Sequence, residues 1–360
     1  MKRLPVVLMM LALSLFLFAG CNKTDSPAST GAEEKPKEST APQIPASSAG
    51  PINPLTGLED GISKEMAGRI PVGVMISNSY NALPQWGISQ ADIIYEMIAE
   101  GRITRFLALF QDPSSLEALG SVRSARPYYI DIAQGYEAAY LHFGGSVPAY
   151  DTIASRKELI DMDGIRGGYE GSLFIRDPQR KKELGLEHSV ITSGERINKA
   201  LEDCGRTLKR KNQQPAFAFN ETPATAQGQN AQKITVTFSE KHKPWFSYDA
   251  SSGKYLRFQY GKAQMDAYYQ QQIAVDNVFV LRMPLKDVPD SALHLVEITT
   301  TGSGSGYYFC GGKYVPIAWK KSSYQSPIFF YDETGKELAV KPGKTFVSVV
   351  TENASVEIQP

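Results

Sequence analysis

The sequence carries no surplus of either charge: 38 lysine and arginine side chains balance 38 aspartates and glutamates. A nucleic-acid binder needs a basic excess and a solvating tail needs an acidic run, so neither class is supported. Cysteine is scarce, at three residues, and no CxxC pair occurs. The four histidines are scattered without metal-ligand spacing, and no HExxH helix or GxSxG elbow is found. No metal site and no cofactor is evident, and no cysteine has an obvious histidine partner for nucleophilic work. No internal repeat is visible.

What is there begins at the N-terminus. Lys2 and Arg3 precede an almost purely apolar run from Leu4 to Phe18, broken only by Pro5 and Ser14. A helical span needs about 20 residues, so this run is short for one. It ends in Phe18-Ala19-Gly20-Cys21, the small-residue ending of a cleaved signal peptide. The run resembles a bacterial lipobox, with Phe18 where leucine is usual, and Cys21 is the expected lipidation site. The alternative is an ordinary secretory signal with an incidental cysteine. A pair of acyl chains supplies the two signals that stable anchoring needs. The expected location is therefore the extracytoplasmic face of the cell membrane.

The expected division is a signal peptide at 1–20, then a lipidated cysteine and polar linker at 21–50. An α/β domain follows at 51–212, a polar linker at 213–232 and a β-rich domain at 233–360. Residues 22–50 hold no aromatic side chain and cannot bury enough apolar surface to offset ordering entropy. The fold class is α+β or α/β: a mixed sheet flanked by helices, then mostly antiparallel strands. Short apolar runs bounded by turn residues give strands at 70–76, 92–98, 105–110 and 138–143. Helices are expected at 124–135, with Ser124 as cap, at 147–157 and at 194–210. Strands follow at 234–238, 255–258, 275–281, 294–300, 307–310, 314–319, 328–331 and 345–350. Gly302 to Gly306 is expected as a flexible hairpin turn. Cys204 and Cys310 are open to pairing in an oxidising compartment or to staying as isolated thiols.

Two stretches carry possible chemistry. One runs from Glu96 through Glu100, Arg102 and Thr104 to Arg105. The other is Gly120-Ser121-Val122-Arg123-Ser124-Ala125-Arg126-Pro127. Arg102, Arg105, Arg123 and Arg126, with Ser121 and Ser124, have the makings of an anion cradle at a helix start. Asp92, Glu96, Glu100 and His142 are its acidic and polar partners. The competing interpretation is structural: the arginines pair with Glu96, Glu100, Asp92 and Asp131 and bind nothing. His142 lies between apolar residues, as a core histidine does. Lys313, Trp319, Lys320 and Lys321 form either an aromatic-basic face or a core tryptophan with solvated lysines.

Several motifs resemble the YerB-like lipoprotein family of Gram-positive bacteria. They are Pro71-Val72-Gly73-Val74-Met75-Ile76-Ser77-Asn78, Pro84-Gln85-Trp86-Gly87 continuing to Tyr95-Glu96, Glu100-Gly101-Arg102-Ile103-Thr104-Arg105-Phe106, and Gly144-Gly145-Ser146. The Gly120 to Pro127 stretch belongs with them, as does the run from Gly304 through Trp319-Lys320-Lys321 to Gly343-Lys344-Thr345. The resemblance departs at Glu187-His188-Ser189, where Pro-His-Asn is usual. It implies a two-part extracytoplasmic lipoprotein and no particular activity. The order of Asp92, Arg123 with Arg126, and Leu141 to Gly145 is also similar to the LytR-CpsA-Psr group, which attaches glycopolymers to the wall.

Two functions stay open. One is a non-catalytic envelope protein that binds a wall-linked anionic ligand or another envelope protein. The other is a metal-dependent enzyme on a phosphorylated envelope lipid or glycan, with Asp92, Glu96 or Glu100 as metal holder or base.

Overall fold

Four apolar runs, Val72–Ser77, Ile93–Ile98, Thr104–Phe110 and Thr345–Val350, are buried at every position. A strand buried on both faces sits inside a sheet covered on both sides, and these four lie together at its centre. The computed structural model describes residues 50–360. The signal peptide, Cys21 and nearly all of the 21–50 linker lie outside the described residues. Among the described residues no helix is long and apolar enough to cross a membrane.

The central sheet runs in the order Gln229–Asn230, Lys313–Lys321, Gly302–Cys310, Asn277–Arg282, Thr345–Val350, Ile93–Ile98, Thr104–Phe110, Val72–Ser77, Ala139–His142, Asp161–Asp163. Phe329–Tyr331 pairs beside Lys313–Lys321. The first half of the chain gives a mixed sheet, with Val72–Ser77 antiparallel to Thr104–Phe110 and parallel to Ala139–His142. The second half is mostly antiparallel. The halves meet at Thr345–Val350, which runs parallel to both Ile93–Ile98 and Asn277–Arg282. A smaller sheet from the second half, with Trp245–Asp249 and Lys254–Gln259 at its middle, buries alternate residues. Its Phe246 meets Phe346 at 5.1 Å, and Phe346 meets Phe106 at 5.8 Å, so aromatic rings seal the layers.

The helix Pro127–Gly135 buries Tyr128, Tyr129, Ile130 and Ile132. Its Tyr129 hydroxyl accepts from the Met97 amide at 3.0 Å and lies 2.6 Å from the Arg105 carbonyl, tying helix to sheet. The N-cap is Arg126 rather than Ser124; Ser124 donates to the Phe143 carbonyl instead. The helix Gly194–Asp203 stops well short of Arg210, because Gly205 takes φ 64°, a left-handed conformation that ends helices.

Two further expectations are corrected. Gly302 to Gly306 is the first half of the strand Gly302–Cys310, not a turn. A side chain at Gly304 would meet Trp319 at 2.7 Å, and one at Gly306 the Val280 carbonyl at 2.4 Å, so these glycines permit close packing. The 213–232 segment is built into the fold rather than free: Phe217 and Thr225 are buried and Gln229–Asn230 joins the central sheet. Trp319 is a fully buried core residue that donates to the Arg282 carbonyl. Lys321 is buried as well. Cys204 and Cys310 are both free thiols.

Candidate functional site

The arginines divide into separate sets. Arg105, from the strand Thr104–Phe110, and Arg126, at the helix start, both donate to the carboxylate of Glu100, one to each oxygen. Arg105 also donates to the Ser124 carbonyl at 2.9 Å. Burial acts against the charge of Glu100, and the two arginines outweigh it, holding the carboxyl below its usual range. Burial and the adjacent Arg126 push the Arg105 guanidinium down to about 10. Glu100 remains 20% exposed while Arg105 is 2% and Arg126 7%. The carboxylate therefore stands between two buried guanidiniums and solvent.

The other expected members lie elsewhere. Arg102 pairs with exposed Asp287 at 2.7 Å. Arg123 pairs with Glu187 and donates to its carbonyl, so the Glu187-His188-Ser189 loop braces this arginine. Ser121 is fully buried and accepts from Arg180 at 2.8 Å. The three carboxylates of the enzyme alternative do not converge: Asp92 accepts from the Gln111 amide, Glu100 holds Arg105 and Arg126, and Glu96 has a third set of partners. His142 is completely buried, with Nε2 2.7 Å from Asp161 and Nδ1 2.7 Å from the Gly144 carbonyl. Both ring nitrogens are therefore engaged.

Glu96 anchors a polar core that sequence reasoning did not anticipate. Its Oε1 accepts from Asn78 at 2.9 Å and Thr104 at 2.7 Å, and lies 2.9 Å from Nε2 of His242. Its Oε2 accepts from Arg257 at 2.6 Å. Gln264 accepts from Arg257, and Gln85 donates to Asn78. Asn78, Thr104 and Glu96 come from the first half of the chain, His242, Arg257 and Gln264 from the second. Burial would neutralise Glu96, but Arg257 and His242 outweigh it and hold the carboxyl below the usual range. A polar residue inside an apolar strand, Glu96 between Tyr95 and Met97, was the available signal. Two of its partners, His242 and Arg257, are 146 and 161 residues away in sequence and share no local pattern with it.

Asp92 differs from both acids. Burial raises its carboxyl to about 6, against the opposing pull of the Gln111 amide and Lys344. A raised acid stabilises the fold fully below its unfolded value near 4 and loses that contribution as pH rises through about 6. The wild type is therefore expected to lose stability relative to Asp92→Asn between about pH 4 and pH 7. Urea midpoints of both proteins across this range check it; parallel curves would dismiss the assignment.

Two family models match the chain. One is described as the N-terminal domain of a protein of unknown function (DUF3048), over residues 55–207, and the other as its C-terminal domain, over residues 234–347. A Bacillus subtilis (strain 168) protein named "Putative lipoprotein YerB" is 30% identical over 298 residues, covering 82% of this chain and 85% of that protein. A crystal structure of the YerB protein from Bacillus subtilis superposes with a TM-score of 0.73 at 30% identity. It covers 85% of this chain and 99% of that one.

Proposed function

Because the chain belongs to the DUF3048 family, we propose that it is a lipid-anchored envelope protein that works by binding, with its anion site at Arg105 and Arg126. Anchoring through Cys21 on the extracytoplasmic face rests on the Phe18-Ala19-Gly20-Cys21 run and on the name of its relative. The ligand is an anionic group of the envelope, a phosphate or a carboxylate. The observation that carries the site is the position of Glu100. Its two oxygens each take one guanidinium, as the oxygens of a bound anion would, since arginine forks match carboxylate and phosphate alike. Glu100 thus fills the site from within, on a loop where Gly101 and Arg102 both take positive φ. An incoming anion has to displace it.

The experiment is Glu100→Ala in the full chain, purified in detergent micelles. Without Glu100 two guanidiniums lose their partner, and the melting temperature falls in chloride buffer. Phosphate or pyrophosphate restores it by mass action, by up to about 2.7 kcal/mol at a hundredfold excess over Kd. Adding Arg126→Ala abolishes that response. If Glu100→Ala melts at the same temperature with and without either anion, the site does not exist.

A further inference from the structure

His242 leads from the buried network around Glu96 to an open groove of about 730 Å³. Its aromatic wall consists of Tyr80, Phe238, His242 and Tyr260. Tyr80 is 65% exposed. It meets Tyr260 edge to face, with centroids 5.2 Å apart and planes at 83°. An edge-to-face pair covers only one ring face, so aromatic surface stays free in the groove. Tyr260 in turn lies 5.2 Å from the ring of His242. The platform therefore rests on a histidine pinned by Glu96.

The polar lining completes the chemistry. Ser79, Asn81 and Ser239 border the groove, and each side chain both donates and accepts hydrogen bonds. Of the charged residues there, Arg102 is cancelled by Asp287, and Lys241 is balanced by its neighbour Glu240. The groove therefore has no net charge to offer a charged ligand. His242 is only 4% exposed, its Nε2 is spent on Glu96, and its Nδ1 has no partner among the described residues.

Free ring faces, short dual-role polar groups and zero net charge together describe a site for one kind of molecule. A sugar presents an apolar C–H face to an aromatic ring and a rim of hydroxyls that both donate and accept. We propose that this groove binds a neutral oligosaccharide, stacked on Tyr80 and hydrogen-bonded through Ser79, Asn81 and Ser239. The groove shares the turn Glu100–Arg102 with the Arg105–Arg126 crevice, but none of Glu100, Arg105 and Arg126 lines it. The volume lies within the range of small-molecule sites, about 300–1,000 Å³.

Calorimetry or ligand-observed NMR on the full chain in detergent micelles tests this. The probes are β-1,4-linked N-acetylglucosamine oligomers and the matching glucose oligomers. The wild type is expected to bind at least one series. Tyr80→Ala, which removes an exposed ring and leaves the melting temperature unchanged, is expected to weaken binding by about tenfold or more, as loss of a stacking aromatic does. Absence of binding to both series, or equal affinity of Tyr80→Ala and wild type, overturns the proposal.

Discussion

Replacing Glu96 by glutamine is expected to cost the fold about 3–5 kcal/mol, the range for breaking one member of a buried ion pair. The carboxylate oxygens face only donors: Asn78, Thr104 and His242 on one side and Arg257 on the other. The amide group of glutamine turns one acceptor into a donor, so either Arg257 or the Asn78 group faces a mismatched partner. Arg257 is fully buried, and its Nη1 already lacks a partner, which leaves it no alternative. In Arg257→Met the methionine fills the space beside Phe346 and Phe246 and strands one Glu96 oxygen and the Gln264 oxygen. The double variant is expected to be more stable than the sum of the two losses predicts, by an interaction of about 1–3 kcal/mol. Urea denaturation of the four proteins gives this number directly. Strict additivity would mean that the two residues do not hold each other. Since Glu96 has a lowered carboxyl, its contribution is present above the unfolded value near 4.3 and is lost on acidification. The penalty of Glu96→Gln therefore shrinks at low pH.

Asp266→Ala is expected to be comparably severe, on the order of 4 kcal/mol, from several charge-assisted hydrogen bonds at about 1.5–3 kcal/mol each that do not simply add. Asp266 is fully buried. Its Oδ1 accepts from the amides of Gly87, Tyr268 and Tyr269 at 3.0, 3.0 and 3.2 Å. Its Oδ2 accepts from the amide and hydroxyl of Ser89 at 2.9 and 2.7 Å. Removing the carboxylate orphans the buried Gly87 amide and part-buried donors of Ser89, Tyr268 and Tyr269, in two segments at once. Asp266→Asn keeps the Oδ1 bonds and is expected to lose roughly half as much. Trp86 packs on Tyr268 at 5.6 Å and beneath Arg180, so its fluorescence reports on the same junction. A loss below about 1 kcal/mol for Asp266→Ala would show that water can replace the carboxylate.

Both residues illustrate what was legible in the sequence and what was not. Buried strands such as Val72–Ser77 and Thr104–Phe110 stood out because an unbroken apolar run needs no knowledge of its neighbours. Trp245–Asp249 and Val356–Gln359 were missed, since half-exposed strands with mixed residues carry a weak alternating signal. Ser124 offered good capping chemistry, yet Pro127 at the first helical position keeps Arg126 extended and starts the helix after it. The arginine stretches stood out in the sequence as runs of charge. Their division among Glu100, Glu187 and Asp287 depended on loops distant in sequence. Asp266 gave no signal at all, because its partners are backbone amides whose positions only the completed fold defines. The pairing of Thr345–Val350 with Ile93–Ile98 was hidden for the same reason: two apolar strands do not announce which neighbour they take.

That last pairing has a consequence for the order in which the chain can complete its fold. Ile93 aligns with Thr345, so the sheet of the first half acquires its inner neighbour only when the far end of the chain arrives. A polypeptide delivered through a pore from its N-terminus would have hundreds of residues across before that strand emerged. Until then the exposed edge of Ile93–Ile98 is an open template for wrong partners, the hazard of any long unpaired edge. Delivery of the last strand, rather than of the first half, is therefore the step that commits this chain to its native topology.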